Sequence, residues 1–260
     1  MLKKRLIPKI LIKKVKIRNK SKLLMVTSNK FKHYKVVGDP VSQAKIYESQ
    51  KSDELIILFI DRKLTFNNSE TINLIRDLAS KTFMPLTIGG NVKSIKDFET
   101  LLSNGADKVS INSIVYSKPE LINKAAKKFG SQCVVVSVDF IEKNKEIFLL
   151  NKNIKKFFKV NLQTYLQKLI SLGAGEILLT DINRDGSESG LNINIAKNLS
   201  TNLDVPLIIS GGCNSSKDFI NCFKNSEVEG ISAGNFFAFK DQNPIQTRSQ
   251  ILNSKIKLRK

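Results

Sequence analysis

The sequence predicts an α/β fold, a (β/α)8 or TIM barrel assembled from two similar half-barrels. Three observations predict it. Residues 85–98, PLTIGGNVKSIKDF, recur as residues 206–219, PLIISGGCNSSKDF, at an offset of 121 residues. A repeat spanning a strand, a turn and a helix implies two related halves. Strand-like and helix-like segments alternate eight times along the chain, the pattern of parallel strands joined by helical crossovers. The 260 residues also suit one barrel, which takes about 250, so the expectation is a single domain, 1–260, with half-barrels of about 1–130 and 131–260.

The elements follow in order. Residues 6–12 read as the first strand, and 13–37 as a long basic loop. Asp39 is an N-cap with Pro40 at the first helical position, opening a helix to about Ser52. The apolar run 55–60 suits a strand buried on both faces, and 69–81 reads as helix. In the repeated segment, 86–88 is a strand, Gly89 and Gly90 make the turn, and Ser94 with Asp97 opens a helix whose apolar face carries Ile95, Phe98, Leu101 and Leu102. Residues 106–111 form the next strand, and Pro119 starts a helix to Phe129. Strand 133–138 ends at Asp139, a lysine- and asparagine-rich hairpin or loop fills 141–160, and 162–172 is helical. Strand 175–180 leads into a polar loop, 181–190. A helix, strand 207–210, a helix and strand 230–233 complete the alternation, and a final helix begins at Asp241.

Composition narrows the function. No apolar run approaches the ~18 residues that span a bilayer, and lysines interrupt the stretch after Met1, which makes a poor signal peptide. Cys133, Cys213 and Cys222 are odd in number and lack metal-ligand spacing, so they read as reduced thiols of a cytoplasmic protein. His33 is the sole histidine, which excludes histidine metal clusters; neither a metal nor a cofactor is expected. The net charge of +20 suits anionic ligands. Its densest run, residues 3–22, has no interleaved aromatics for stacking on bases. A solvated basic surface therefore fits better than nucleic-acid binding, although a catalytically dead, polyanion-binding barrel stays an alternative.

In such a barrel, chemistry sits where strands run out into the following loops. Gly90, Asn91, Asn112 and Ser113 occupy those positions in the first half, and Gly211, Gly212, Gly234 and Asn235 in the second, with Asp185 and Gly186 in the loop after the sixth strand. Small residues there expose backbone N–H groups to anions. Two such sets suit a substrate phosphorylated at both ends; the plainer alternative is tight turns. Asp139, at the end of an apolar strand, is a candidate general acid or base, or else a hydrogen-bonded strand-end carboxylate. Arg5, Glu54, Lys108 and Glu176 each stand at the start of a strand. Two cations and two anions there predict a ring of ion pairs at the opposite rim, by position a stabilising one.

The segments Arg5 to Pro8, Val37 to Pro40, 85–90, 105–112, 173–180, Arg184 to Gly186 and Ser210 to Gly212 resemble the cyclase subunit (HisF) of imidazole glycerol phosphate synthase, and the likeness covers nearly the whole chain. The resemblance implies a (β/α)8 barrel paired with a HisH-like glutaminase, whose ammonia crosses the barrel to a phosphorylated substrate. It places an ammonia gate on Arg5, Glu54, Lys108 and Glu176, a partner contact on Asp107, and one member of a catalytic aspartate pair on Asp139.

The chain departs from that family where protons move. The other catalytic aspartate falls on Leu11, a loop lysine falls near Thr27, and an acid at the end of the second strand is Phe59, with Asp61 two residues on. A phosphate-site glycine is Asn91 and the matching serine is Asn235. Loss of one general acid or base costs about 10²- to 10⁴-fold in rate, whereas ammonia delivery does not need residue 11 to titrate. The departures therefore resemble the cyclase-like paralogues that work with a glutaminase and a sugar amidotransferase in surface-polysaccharide synthesis. An authentic histidine-pathway cyclase is the alternative.

Overall fold

The computed structural model describes residues 3–239 and 243–259. Strand β1 (Arg5–Ile17) runs beyond the barrel and folds back through β2 (Lys20–Asn29) and β3 (Lys32–Gly38), both antiparallel. Helix α1 (Pro40–Ser49), β4 (Leu55–Phe59), α2 (Ser69–Lys81), β5 (Leu86–Gly89), α3 (Ile95–Ser103), β6 (Lys108–Ile111) and α4 (Glu120–Phe129) follow. Strand β7 (Val134–Lys143) again overruns, pairing with β8 (Glu146–Asn151) and through it with β9 (Lys156–Val160). Then come α5 (Leu162–Ser171), β10 (Glu176–Asp181), α6 (Ile193–Ser200), β11 (Leu207–Ser210), α7 (Ser216–Asn225), β12 (Gly230–Ala233), α8 (Asn235–Phe239) and α9 (Pro244–Asn253).

The strands β1, β4, β5, β6, β7, β10, β11 and β12 pair in that order, all parallel, and the pairing of β1 with β12, Arg5 opposite Gly230, closes the circle. The expected (β/α)8 barrel is therefore present. The expected start of the last helix at Asp241 lies outside the described residues, as does Met1; α9 itself is opened by Asn243, whose side chain accepts from Gln246 N at 3.0 Å.

One expectation fails. Residues 13–37 are not a loop but two strands and the end of a third. Paired residues of an antiparallel ladder share a face, so Lys13 lies beside Leu24, Lys14 beside Leu23 and Lys22 beside Val15, and lysines and apolar side chains are mixed on both faces of the excursion. Lys30 and Phe31 make the two-residue turn from β2 to β3 with φ of 50° and 59°, and Asn144 and Lys145 turn β7 into β8 with φ of 52° and 62°. That left-handed pair matches the twist of the flanking strands.

The repeat is visible at atomic level. The Asp97 carboxylate accepts from Lys93 N at 2.8 Å, and the Asp218 carboxylate accepts from Asn214 N at 2.8 Å. In each, the third helical residue reaches back to the backbone N–H just before the N-cap, Ser94 or Ser215, and fixes the entry of the chain into its helix.

Period two along β1 sorts the interior. Leu6, Ile10 and Ile12 join the core between strands and helices. Ile7 instead packs with Ile56, Val135, Leu178 and Ile208 in a separate apolar cluster inside the barrel. Each such fully buried aliphatic contributes about 1.5–3 kcal/mol relative to exposure. Arg5, Lys9 and Leu11 share Ile7's face, so a charged layer lies below this cluster and a polar one above. Among the described residues no helix is long and apolar enough to cross a membrane. The three cysteines are free, and burial pushes the Cys222 thiol up to about 11, which keeps it unreactive.

Candidate functional site

The lower rim holds a closed ionic ring. Arg5 Nη1 donates to Glu54 Oε2 at 2.7 Å, and Arg5 Nη2 donates to Glu176 Oε1. Lys108 Nζ reaches the same two carboxylates, Glu54 Oε2 at 3.0 Å and Glu176 Oε2 at 2.7 Å. Thr87 Oγ1 donates to Glu54 Oε1 at 2.6 Å. The four residues lie at or beside the first residues of β1, β4, β6 and β10, and closure of the barrel brings them together. Burial opposes charge on Glu54, but Lys108 and Arg5 outweigh it and hold its pKa below the usual carboxylate value. Burial likewise works against the Arg5 guanidinium, and Glu176 and Glu54 overcome it, raising its pKa. Lys108, 21% exposed, is the member that reaches solvent.

Asp107, beside the ring, accepts from Leu86 N at 2.8 Å. Asp53 does the same for Leu6 N, and Glu229 for Leu207 N, each at 2.8 Å. All three tie down an N–H at the start of a neighbouring strand. Asp107 thus has a structural task besides any contact with a partner.

At the upper rim a cleft of about 600 Å³ opens. Gly90, Asn91, Asn112, Ser113 and Asp139 all line it. Asp139 is buried; it accepts from Asn112 Nδ2 at 2.8 Å and pairs with Lys152 Nζ at 2.5 Å. Among the described residues Asn112 Oδ1 has no hydrogen-bond partner, although it is buried. The two antiparallel excursions meet above the cleft, where the Lys152 ammonium lies 4.5 Å from the centre of the Phe31 ring. Asn153 Nδ2 donates to Ser113 O at 2.8 Å and anchors the β8–β9 turn.

Asn91 occupies a left-handed position, φ 58°, and its side-chain amide donates to Asp61 O at 2.6 Å and Leu64 O at 3.0 Å. It pins the loop after β4 and is not free to hold an anion with that amide. Its neighbour Gly90, φ 92°, is forced by space: a Cβ there would stand 2.1 Å from Phe59 O. Gly90→Ala therefore costs more than ~1 kcal/mol, read as a lowered melting temperature in scanning calorimetry.

The remaining predicted residues gather in a smaller recess beside the cleft, lined by Asp185, Gly186, Gly211, Gly212, Gly234 and Asn235. Asp185 accepts from Ser28 Oγ at 2.7 Å, and Asn235 Nδ2 donates to Ser28 O at 3.0 Å, so the β2 excursion is tied to both. Gly90, Asn91, Asn112 and Ser113 thus line the cleft and Gly186, Gly211, Gly212, Gly234 and Asn235 the recess, while Asp185 lines both.

Leu11 lines the cleft, together with Leu58 and Phe59. Thr27 is buried in β2, and the Asp61 carboxylate turns onto Lys63 N at 3.1 Å. Among the described residues, Asp139 and Asp185 are the carboxylates that line the cleft. Sequence reasoning missed three residues here: Lys152, lost within a lysine-rich stretch; Ser28, in the segment taken for a loop; and Lys9. Lys9 is buried, lines both hollows and donates to Ser210 Oγ at 2.8 Å. The signal was available, since a lysine two residues from Ile7 and from Leu11 shares their inward face. Among the described residues no group of three or more His, Cys, Asp or Glu side chains is placed to hold a metal ion.

A family model described as histidine biosynthesis protein matches residues 6–243. The chain is similar to a putative imidazole glycerol phosphate synthase subunit hisF2 of Prochlorococcus marinus, 35% identical over 263 residues, covering 100% of this chain and 99% of that protein. It is 36% identical over 262 residues to an imidazole glycerol phosphate synthase subunit HisF of Lactococcus lactis, covering 100% and 97%. A HisF subunit of Hydrogenobaculum is 38% identical over 242 residues, 92% of each chain. The chain belongs to the histidine biosynthesis protein family, among relatives named as HisF subunits of imidazole glycerol phosphate synthase.

Proposed function

We propose that this chain is the ammonia-accepting subunit of a glutamine-dependent synthase of the imidazole glycerol phosphate synthase type, acting on a substrate phosphorylated at both ends. The observation that carries this reading is the division of labour across the barrel. The ring of Arg5, Glu54, Lys108 and Glu176 closes one end, and a cleft lined by two buried carboxylates, Asp139 and Asp185, of which Ser28 holds the second, opens at the other. The apolar cluster around Ile7 lies between them. A HisH-like glutaminase docked at the ring, against Asp107, would release ammonia there. A small neutral molecule crosses an apolar layer that excludes ions. At the mouth, Asp139 would take or give the protons that carbon–nitrogen bond formation releases. The glycine-lined recess would hold one phosphate and the Gly90 side of the cleft the other. We read the chain as one domain, with half-barrels of about 1–130 and 131–260, each supplying one anion site.

The names of the relatives favour ring closure in histidine biosynthesis. Leu11 favours a second reading, in which the barrel feeds ammonia to a sugar amidotransferase in surface-polysaccharide synthesis, because an alkyl group in the cleft wall cannot exchange protons. Expression in a histidine auxotroph lacking the cyclase separates them. Growth without histidine supports the cyclase; growth only after Leu11→Asp supports the amidation reading, with the cyclase geometry otherwise kept. If neither supports growth, and no glutaminase co-purifies, the ammonia-accepting role is lost.

A further inference from the structure

Lys9 presents a chemical problem that the fold alone does not solve. Its ammonium is buried on the inward face of β1, and its hydrogen-bond partner, Ser210, is neutral. It forms no ion pair with any carboxylate among the described residues. A buried charge without a counter-charge is costly, so something absent from the chain should balance it. Three further observations locate that group. Ser232, on the adjacent strand β12, lines the same recess and has a fully buried hydroxyl with no partner among the described residues. The lysine stem runs along Gly234, where an added Cβ would lie 3.9 Å from Lys9 Cε. Asp185, which also lines the recess, accepts from Ser28 Oγ and is held by it. Leu11 completes the case: it is the next inward residue of β1, about 7 Å along the strand, and a carboxylate there would compete for the ammonium.

We infer that Lys9 is a substrate-binding residue that pairs with an oxyanion, a phosphate group of the substrate, in the recess lined by Gly211, Gly212, Ser232 and Gly234. This rests on the reading of a phosphorylated substrate and assigns one phosphate to a buried cation in place of backbone N–H groups alone. A charge-assisted contact of this kind is short and strong. Lys9 lines the cleft as well as the recess, but the other lysines of the cleft lining, Lys93, Lys152 and Lys155, are not buried, so the buried charge favours one end of the substrate for the recess.

The test uses the full chain and inorganic phosphate, followed by isothermal titration and by the phosphate-dependent rise in melting temperature. Lys9→Met removes the charge; Lys9→Gln removes it while keeping a donor for Ser210, and serves if the methionine variant folds poorly. Both are expected to bind phosphate about 10- to 100-fold more weakly than wild type, and the ligand-free methionine variant is expected to melt at or above the wild-type temperature, because a buried charge has been removed. Wild-type affinity in both variants overturns the inference and leaves the phosphorylated-substrate reading standing. A methionine variant that melts lower yet binds phosphate normally assigns Lys9 a structural role instead. Wild-type protein that binds no phosphate overturns both.

Discussion

On the proposed function, Asp139→Asn is expected to lower turnover by about 10²- to 10⁴-fold and to leave association with a glutaminase partner unchanged. The substitution is nearly isosteric. Asparagine still offers an oxygen to Asn112 Nδ2, now 2.8 Å from the carboxylate, and loses the pairing with Lys152 Nζ at 2.5 Å. Lys152 is 39% exposed, so water replaces its lost partner and stability changes little. The proton-accepting group is what disappears. With ammonium salt supplied directly the variant stays inactive, which separates a fault at the mouth from a fault in ammonia entry. Co-purification or sedimentation with the glutaminase should match wild type, because the ring of Arg5, Glu54, Lys108 and Glu176 lies at the other rim. A variant that turns over normally, or one that loses the partner, would place Asp139 outside the chemistry.

How far the sequence discloses this molecule depends on whether a feature is periodic or long-range. The barrel strands are short apolar runs punctuated by Gly, Pro and Asp, and the repeated segment fixes two strand-turn-helix units at once; β5, β11, α3 and α7 lie where expected. The antiparallel excursion after β1 was hidden for a physical reason. Its turns are made by Arg18, Lys30 and Phe31 in left-handed conformations, without the Asn-Gly or Asp-Gly pairs that announce a hairpin, and lysine is a poor advertisement for a strand. The equivalent excursion after β7 was easier to suspect because Asn144 and Lys145 offer turn chemistry between apolar stretches.

The site divides similarly. Strand ends are countable, so the glycines of both hollows, Asp139 and the four members of the ring are legible from position alone. Partnerships are not. Nothing local says that the Asn91 amide would be consumed by Asp61 O and Leu64 O, that Ser28 would bind Asp185 across 157 residues of sequence, or that Lys152 would find Asp139. These contacts arise only when the excursions fold over the barrel mouth. Lys9 is intermediate: period two places it inward, but only the closed barrel shows that no carboxylate among the described residues pairs with it.

Glu54→Gln is expected to destabilise the protein by about 3–5 kcal/mol, the cost of breaking a buried ion pair from one side. Glu54 is fully buried and takes hydrogen bonds from Arg5, Lys108 and Thr87. With its charge gone, two cations share Glu176, itself buried. The pH dependence gives a second reading of the same effect. The folded-state pKa of Glu54 is depressed below 4.5 by Lys108 and Arg5 against the opposing effect of burial. The unfolded state therefore binds the proton more readily. The stability that Glu54 contributes is fully present above pH ~4.5 and is lost as pH falls through the lowered folded-state value. Urea unfolding across pH 3 to 7 should show wild type losing stability steeply at the acid end and Glu54→Gln starting lower with a shallower fall. Equal slopes would mean that the ring does not hold Glu54 ionised. Arg5→Met in the Glu54→Gln background should recover part of the loss, because it removes one of the two cations left competing for Glu176. That recovery distinguishes charge imbalance from simple loss of packing, since a second truncation in a merely packed layer would add to the damage.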